Sequence, residues 1–424
     1  MKRIGPALEV REFRLWWLAV LGMWVSLQML EVTIGWEVYA QHGSALDLGW
    51  IGLAEFVPLF ALALPAGQLA DRAPRRLVFS GALLIGAGVG VGLALVSGSG
   101  ATALAPYLAL AVGAGISMAL GTPAARAMPP TLVSPELLQS AMTLRSVASQ
   151  GGMVLGPAIG GLLYGVSPSL VYLLAAAACL VAAGFVLAMD PAPAADVAEG
   201  EPGSVRQPAD LHGLLEGLRF VARTDILLGA ILLDLLAVLF GGAVALLPIF
   251  ARSILHVGAT GLGVLRAAPA VGALLGAVAI TRRPIGARAG RLLLTVVLLY
   301  GASIVVFGLS RSYPLSLLAL GVSGFVDLYS MNIRSTTVAL ASPDRLRGRV
   351  NAVEMVFISA SNQLGYFESG LAAFLVGTIP AVVGGGAITM LIALSWRRFF
   401  PALAEVDRLE DIRPAQPSPV EAAA

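Results

Sequence analysis

Apolar residues run along this chain in long, nearly unbroken stretches, each ended by a cluster of Gly, Pro or charged positions. The stretches fall at roughly 14–40, 48–70, 77–98, 104–128, 138–165, 169–189, 224–254, 260–282, 290–310, 314–340, 350–378 and 380–399. Crossing the hydrocarbon layer takes about 20 apolar residues in a helix. The runs are too long and too uniformly apolar for the alternating strands of a membrane barrel. The pattern therefore predicts an all-α integral membrane protein with twelve transmembrane helices. The first, fifth, seventh, tenth and eleventh runs exceed the length of a span, so tilted or kinked helices are expected there.

Composition strengthens that picture. Of the 424 residues 58% are hydrophobic and only 12% charged, with a mean hydropathy of +0.86, a profile outside that of soluble domains. The positive charges also follow a rule. If Lys2, Arg3, Arg11 and Arg14 lie on the cytoplasmic side, so do Arg72, Arg75, Arg76, Arg282, Arg283, Arg288, Arg291, Arg345, Arg347, Arg349, Arg397 and Arg398. Arg252 and Arg311 alone fall in the opposite loops. This asymmetry predicts a multi-pass protein with both termini in the cytoplasm. The basic residues then serve as topology determinants, and a net charge of +2 gives no reason to expect a nucleic-acid partner. The first apolar run is too long for a signal peptide, and no small-residue cleavage site follows it.

Other chemistry is sparse. Cys179 is the single cysteine, so neither an internal disulfide nor a cysteine metal cluster is expected. His42, His212 and His256 are scattered over loops and read as ordinary surface histidines. Lys2 is the only lysine, which excludes a phosphate-loop lysine and a Schiff-base lysine within the spans. No cofactor or metal is expected, and the energy for any work must come from a gradient, with a proton gradient the first candidate.

Between residues 190 and 223 the apolar pattern gives way to Asp, Pro, Ala, Glu and Gly. The segment reads as a cytoplasmic linker, with an interfacial helix around Leu211–Arg223, joining an N-terminal bundle (1–189) to a C-terminal one (224–400). Residues 401–424 read as a disordered cytoplasmic tail. The two halves echo each other. Arg126 followed by Ser134-Pro135-Glu136 recurs as Arg334 followed by Ser342-Pro343-Asp344, at an offset of 208. Gly52, Glu55 and Pro58 recur as Gly263, Arg266 and Pro269, at an offset of 211. Such repeats predict two pseudo-symmetric six-helix bundles with a substrate site near the membrane midplane.

The turn Gly67-Gln68-Leu69-Ala70-Asp71-Arg72-Ala73-Pro74-Arg75-Arg76 lies between the second and third runs. It resembles the charged signature that follows the second helix of the major facilitator superfamily, with Pro74 where that family usually carries Gly. Gly152-Met153-Val154-Leu155-Gly156-Pro157-Ala158-Ile159-Gly160-Gly161 is similar to the fifth-helix motif of the superfamily's antiporters. Its glycines at intervals of four leave a bare face for close backbone approach, and Pro157 permits a bend that neighbouring groups can satisfy. Small-residue packing with no link to export explains the same glycines. Phe13 to Trp16, Gly43 to Leu46, Arg347 to Ala352 and Phe367 to Gly370 resemble the branch of the superfamily that contains the bacterial enterobactin exporter. The resemblance runs over nearly the whole chain. It implies a monomeric secondary transporter of the bacterial cytoplasmic membrane, not an enzyme, working by alternating access on a small amphipathic organic molecule, siderophore-like or drug-like. Proton-coupled efflux is the expected direction. Import or facilitated movement of a solute or lysolipid is the rival within transport; an intramembrane enzyme or a receptor is the rival outside it. No nucleophile with its base lies in the spans, and no soluble output domain is visible.

Intramembrane charges mark the candidate site, because each costs roughly 2.5–3.5 kcal/mol near a helix centre. Glu31 sits deep in the first run, in a polar stripe with Trp24, Gln28 and Gly35. Asp234 lies midway along the seventh run. In the tenth, Ser323, Asp327, Ser330 and Arg334 share one face, and in the eleventh so do Glu354, Ser361, Gly365 and Glu368. The resemblance implies that helices one, four, seven and ten line the cavity. Glu31 leads as the coupling acid, since no cation of its own helix can pair with it, whereas Arg334 can hold Asp327 ionised. Arg126 and Arg334 are expected to anchor cytoplasmic helix ends. Gating is assigned to Asp71, Arg72 and Arg76 with Glu354 and Arg145 on the inner side, where ion pairing or snorkelling explains the last two equally. On the outer side it falls to Glu55 and Arg266, which form either gate salt bridges or local pairs. Gly156 is expected to pack against the eighth helix.

Overall fold

The computed structural model describes residues 5–190 and 211–414. Each apolar run folds as helix: α1 (Arg11–His42), α2 in two pieces (Ala45–Ala61 and Ala63–Arg72), α3 (Arg75–Gly98), α4 (Leu104–Ala127), α5 (Leu138–Tyr164) and α6 (Pro168–Leu187). After the linker come α7 (Asp225–Gly241, continuing irregularly to Ile254), α8 (Gly258–Arg282), α9 (Ala289–Leu309), α10 (Tyr313–Ala341), α11 (Arg347–Val376) and α12 (Thr378–Phe399). Among the described residues nine helices are long and apolar enough to cross a membrane. The other three runs fall short for physical reasons. Leu62, four residues after Pro58, splits α2 into pieces of 17 and 10 residues. The α5 and α11 helices have the length, but glycines and polar residues dilute their hydropathy.

Length alone did not break the long helices. At 1.5 Å per residue the 32 residues of α1 extend about 48 Å, well beyond a ~30 Å hydrocarbon layer. Yet α1, α10 and α11 are continuous. The real interruption is in α7, where regular helix stops at Gly241 and gives way to a 3-10 turn and then a π-turn ending at Ile254. Side chains take up the carbonyls released there: the Tyr300 hydroxyl donates to Gly241 O (3.2 Å) and Ser369 Oγ to Gly242 O (3.0 Å). Irregular backbone inside a membrane survives only with such partners.

Two compact units make up the chain. The first comprises Met1–Ala209 with Leu247–Ala267, the second Asp210–Leu246 with Ala268–Ala424. The last part of α7, from Leu247, and the start of α8 therefore belong to the first unit. In each unit a tryptophan buried among aliphatic side chains satisfies its N–H on a neighbouring helix. Trp16 donates to Ala125 O and Trp396 to Gly229 O, both at 3.2 Å. Small residues set the helix spacing. A Cβ added at Gly90 of α3 would lie 3.0 Å from Tyr172 O of α6, and one at Gly301 of α9 2.7 Å from Gly386 O of α12. Exposed leucines such as Leu95, Leu162, Leu318 and Leu391 point outward, as a lipid solvent allows.

The repeat seen in the sequence has a counterpart in packing. In the first unit a Cβ on Gly115 of α4 would strike Glu55 O and Pro58 of α2. In the second, a Cβ on Gly324 of α10 would strike Pro269 O of α8. Both prolines lie inside their helices.

Part of the expected linker is a helix, Leu211–Arg223, which buries Phe220 and Val221 and pairs Glu216 with Arg349. Residues 191–210, and Lys2 and Arg3, lie outside the described residues. The tail departs from expectation over 401–414. A short helix, Pro401–Ala404, buries Leu403, and the strap beyond it closes the start of α9. The N–H groups of Ala289 and Gly290 donate to Asp407 O and Val406 O at 2.9 Å, and Arg288 N–H to the Asp407 carboxylate at 3.0 Å. These are helix N-terminal donors that would otherwise lack partners. Residues 415–424 lie outside the described residues.

Candidate functional site: acids and arginines inside the spans

Unit 2 holds the densest polar group. The Asp234 carboxylate, on the regular part of α7, forms an ion pair with Arg334 of α10. Arg334 Nε also donates to Ser330, at 3.1 Å to the hydroxyl and 3.3 Å to the carbonyl one turn back. Arg334 is 8% exposed, so it is no surface anchor for a helix end, as the sequence suggested. Its partner lies a hundred residues away in the chain, and the guanidinium turns inward to meet it. Arg126, the repeat counterpart, is exposed.

Asp234, Val297, Tyr300, Asp327, Ser330 and Arg334 line a small cavity within this unit. Ser323 and Ser330, on the same α10 face, are buried, whereas Asp327 is exposed on it. Among the described residues Asp327 takes part in no hydrogen bond or ion pair. The ion pair of Arg334 is with Asp234, while Asp327 lies within the field of the same guanidinium without touching it. The face of α11 that carries Ser361, Gly365 and Ser369 packs on the α7 backbone. A Cβ at Gly365 would lie 3.3 Å from the carbonyls of Val238 and Leu239. Glu354, two turns into α11 and half-buried, lies within the field of Arg334 and Asp234.

In unit 1 the α1 stripe meets two neighbours. Glu31 is ion-paired with Arg266 of α8, whose side chain is 8% exposed against 25% for the glutamate. The cation missing from its own helix therefore comes from one 235 residues away. Half-buried Glu55 sits on α2. At Trp24 and Gln28 the backbone of α1 runs against α5. A Cβ at Gly156 would lie 2.5 Å from Gln28 Cβ, and one at Gly152 would strike Trp24. Gly156 thus faces α1 and not α8. It is Gly161 that meets α8, where an added Cβ would lie 2.5 Å from Ala259 O and 2.9 Å from the Gly263 Cα. Thr260 then donates to Gly161 O at 3.2 Å. A Cβ at Gly263 would strike Pro157 O, and Gly160 lies 3.3 Å by the same measure from Met29. The motif glycines divide between two neighbours because positions 156 and 161 point to different sides of α5.

The charged turn after α2 works through helix ends. Arg75 donates to Ala127 O at 2.9 Å, and Arg76 donates to Met189 O, so each closes the C-terminus of another helix. Arg72 is exposed and Arg145 half-buried. The Asp71 side chain, expected near the start of α11, lies outside the described residues. His42 is more than a surface residue: its ring bonds Asp47 at 2.7 Å and Thr102 O at 2.5 Å, tying α1 to α2 and to the loop between α3 and α4. The buried Cys179 thiol donates to Ser26 at 3.2 Å.

One buried acid escaped the sequence reading. Glu37 is 4% exposed, and Tyr172 donates to it at 2.7 Å. Gln41 reaches both Glu37 (3.5 Å) and the Tyr107 hydroxyl (3.2 Å). The insertion cost that singled out Glu31 applies equally to Glu37, six residues on in the same run. A search along one polar stripe passed over it because it occupies another face of α1.

Long apolar helices with arginine–carboxylate pairs inside the spans make this a multi-pass membrane protein, and the solved structures whose fold it shares are of transporters. A bacterial homologue of the human lysosomal transporter Spinster, in an inward-facing and occupied conformation, covers 96% of this chain and 99% of its own, with a TM-score of 0.69 at 17% identity. A D-xylose–proton symporter matches with a TM-score of 0.69 at 12% identity, covering 93% of this chain and 99% of that one. These likenesses concern the fold. The family model described as Transmembrane secretion effector matches residues 5–422, and the chain belongs to that major facilitator family. Curated relatives include the enterobactin exporter EntS of Shigella boydii serotype 18 and of Escherichia coli O81. Both are 27% identical over 386 residues, covering 88% of this chain and 90% of the relative. The protein is a multi-pass membrane transporter and not an enzyme.

Proposed function

We propose that this chain is a secondary active exporter of the bacterial cytoplasmic membrane, with both termini in the cytoplasm. It moves a small amphipathic organic molecule outward, as a monomer and without a bound cofactor, in exchange for protons. Support for the direction comes from the exporters it is similar to and from the glycine–proline motif at the α1–α5–α8 junction. Support for the orientation comes from the arginine distribution.

The observation that carries the coupling is the second unit's cavity, lined by two aspartates and one arginine, of which only Asp234 is paired with the arginine. A coupling acid must change protonation as the transporter alternates. Glu31 and Asp234 are each engaged in an ion pair with an arginine of a neighbouring helix, which leaves Asp327, on the cavity wall, as the leading proton carrier. Vesicles reconstituted with the protein and loaded with enterobactin, the compound for which the relatives are named, test this reading. Acidifying the outer medium should speed cargo exit and acidify the lumen. In Asp327→Asn, exit should lose its dependence on the gradient. Exit that ignores the gradient in the unmodified protein replaces antiport with facilitated diffusion.

A further inference from the structure

We infer that α9 and α12 together form a binding surface for an anionic phospholipid, its phosphate held between Arg291 and Arg398 and its acyl chains lying along both helices. The inference goes beyond the export reading and needs neither a direction of transport nor a choice of leaflet. It starts from two exposed stripes in the second unit. On α9, Arg291, Thr295, Leu299, Val306 and Leu309 are exposed at helical spacing on one face. On α12, Ile388, Leu391, Leu394 and Arg398 do the same. In a multi-pass membrane protein such leucine-rich outer faces meet lipid tails, which are as apolar as they are. Each stripe ends in an arginine. The two helices pack antiparallel without a gap, since a Cβ at Gly301 would strike Gly386 O and Met390 N, and one at Gly308 would strike Val382 and Val383. That register brings Arg291 level with the last turn of α12. The turn that follows α12 confirms the level, because a Cβ at Gly290 would strike the carbonyls of Leu403 and Ala404.

Both guanidinium groups are uncommitted. Among the described residues neither Arg291 nor Arg398 takes part in an ion pair or a side-chain hydrogen bond. By contrast Arg11, Arg75, Arg76, Arg347 and Arg349, at the starts of α1, α3 and α11, each hold a carboxylate or a carbonyl. The neighbouring strap does not neutralise the pair either: its Asp407 carboxylate accepts from the Arg288 N–H. A charge bias between loops asks only that arginine lie on one side of the membrane. It does not ask that two arginines terminate lipid-facing stripes, at one level and clear of acids. An arginine in that position lays its methylenes along the apolar surface and lifts its guanidinium to the headgroups. There the planar fork matches a phosphate with two parallel N–H···O bonds. A zwitterionic lipid offers the same phosphate but brings its own cation beside it, so the surface favours a lipid whose headgroup is net negative.

The test is competitive retention of lipid by the full-length protein in detergent. Phosphatidylglycerol and phosphatidylcholine are supplied in equal amounts, and the bound molecules are counted by native mass spectrometry. Phosphatidylglycerol should be retained in excess by at least about tenfold. Added salt should shrink the excess, because exposed charges are screened. Arg291→Gln combined with Arg398→Gln should bring the ratio close to unity, whereas Arg291→Lys combined with Arg398→Lys should keep most of the preference. Arg345→Gln combined with Arg347→Gln removes the same charge from the turn between α10 and α11 and leaves both stripes whole, so it should keep the preference too. Equal retention of the two lipids by the unmodified protein overturns the inference without recourse to any variant. So does an excess that survives the double glutamine substitution at 291 and 398. An excess that the substitutions at 345 and 347 abolish as completely overturns it as well, since the preference is then a property of net charge and not of this surface.

Discussion

Each unit carries an acid on its leading central helix, and each neutralises it with an arginine from another helix: Glu31 with Arg266 in the first, Asp234 with Arg334 in the second. What differs is the second acid. In the first unit Glu37 is sealed from solvent and held by Tyr172 and Gln41. In the second, Asp327 opens onto a cavity and is held by nothing among the described residues. Both units thus place two carboxylates near the same kind of helix, yet one satisfies its spare acid structurally and the other leaves it available. Intramembrane charge marks both places, and partners and access separate a strut from a site.

The comparison can be broken most severely at Arg334. Replacing it with leucine strands Asp234 in a nearly closed environment, and breaking a buried pair from one side costs roughly 3–5 kcal/mol. Thermal unfolding in detergent should show a large loss for Arg334→Leu, and a double substitution that also makes Asp234→Asn should recover much of it. An unchanged unfolding temperature in the single variant would show that the pair carries no load.

A smaller effect is expected at the first unit's pair, because Glu31 is a quarter exposed. Glu31→Gln and Arg266→Gln, alone and combined, should give a coupling of about 0.5–3 kcal/mol in a double-mutant cycle. Stability losses that simply add would place the two side chains together without energetic consequence.

The smallest effect is expected at Glu37. The glutamine of Glu37→Gln can still accept the Tyr172 proton, so the loss should stay within about 1.5 kcal/mol, the net worth of an ordinary hydrogen bond. Gradient-driven exit should survive. If Glu37→Gln uncouples transport as Asp327→Asn is expected to, the contrast between the two second acids is wrong and Glu37 joins the proton path.

Much was legible before any coordinates. Hydrocarbon thickness sets a minimum length for an apolar run whatever its neighbours are, so every window from 14–40 to 380–399 folds chiefly as helix, with breaks at Leu62 and after Gly241. The cost of burying charge is equally local, which is why Glu31, Asp234 and Asp327 stood out by position alone. The small-residue spacing of 152, 156 and 160 announced close packing on the same grounds.

Partners were another matter. Which arginine meets Glu31, which aspartate takes Arg334 and which helix lies over Gly156 depend on contacts between segments far apart in the chain, which one helix's periodicity does not encode. The order of the 401–414 strap has the same origin, since its carbonyls are fixed by the free N–H groups at the start of α9. The sequence by itself determined that this chain spans a membrane and carries charge where charge is expensive. Only the tertiary structure decided which charges cancel and that Asp327 stays open to the cavity, because neutralisation within a bilayer is settled by the few ångströms between helices.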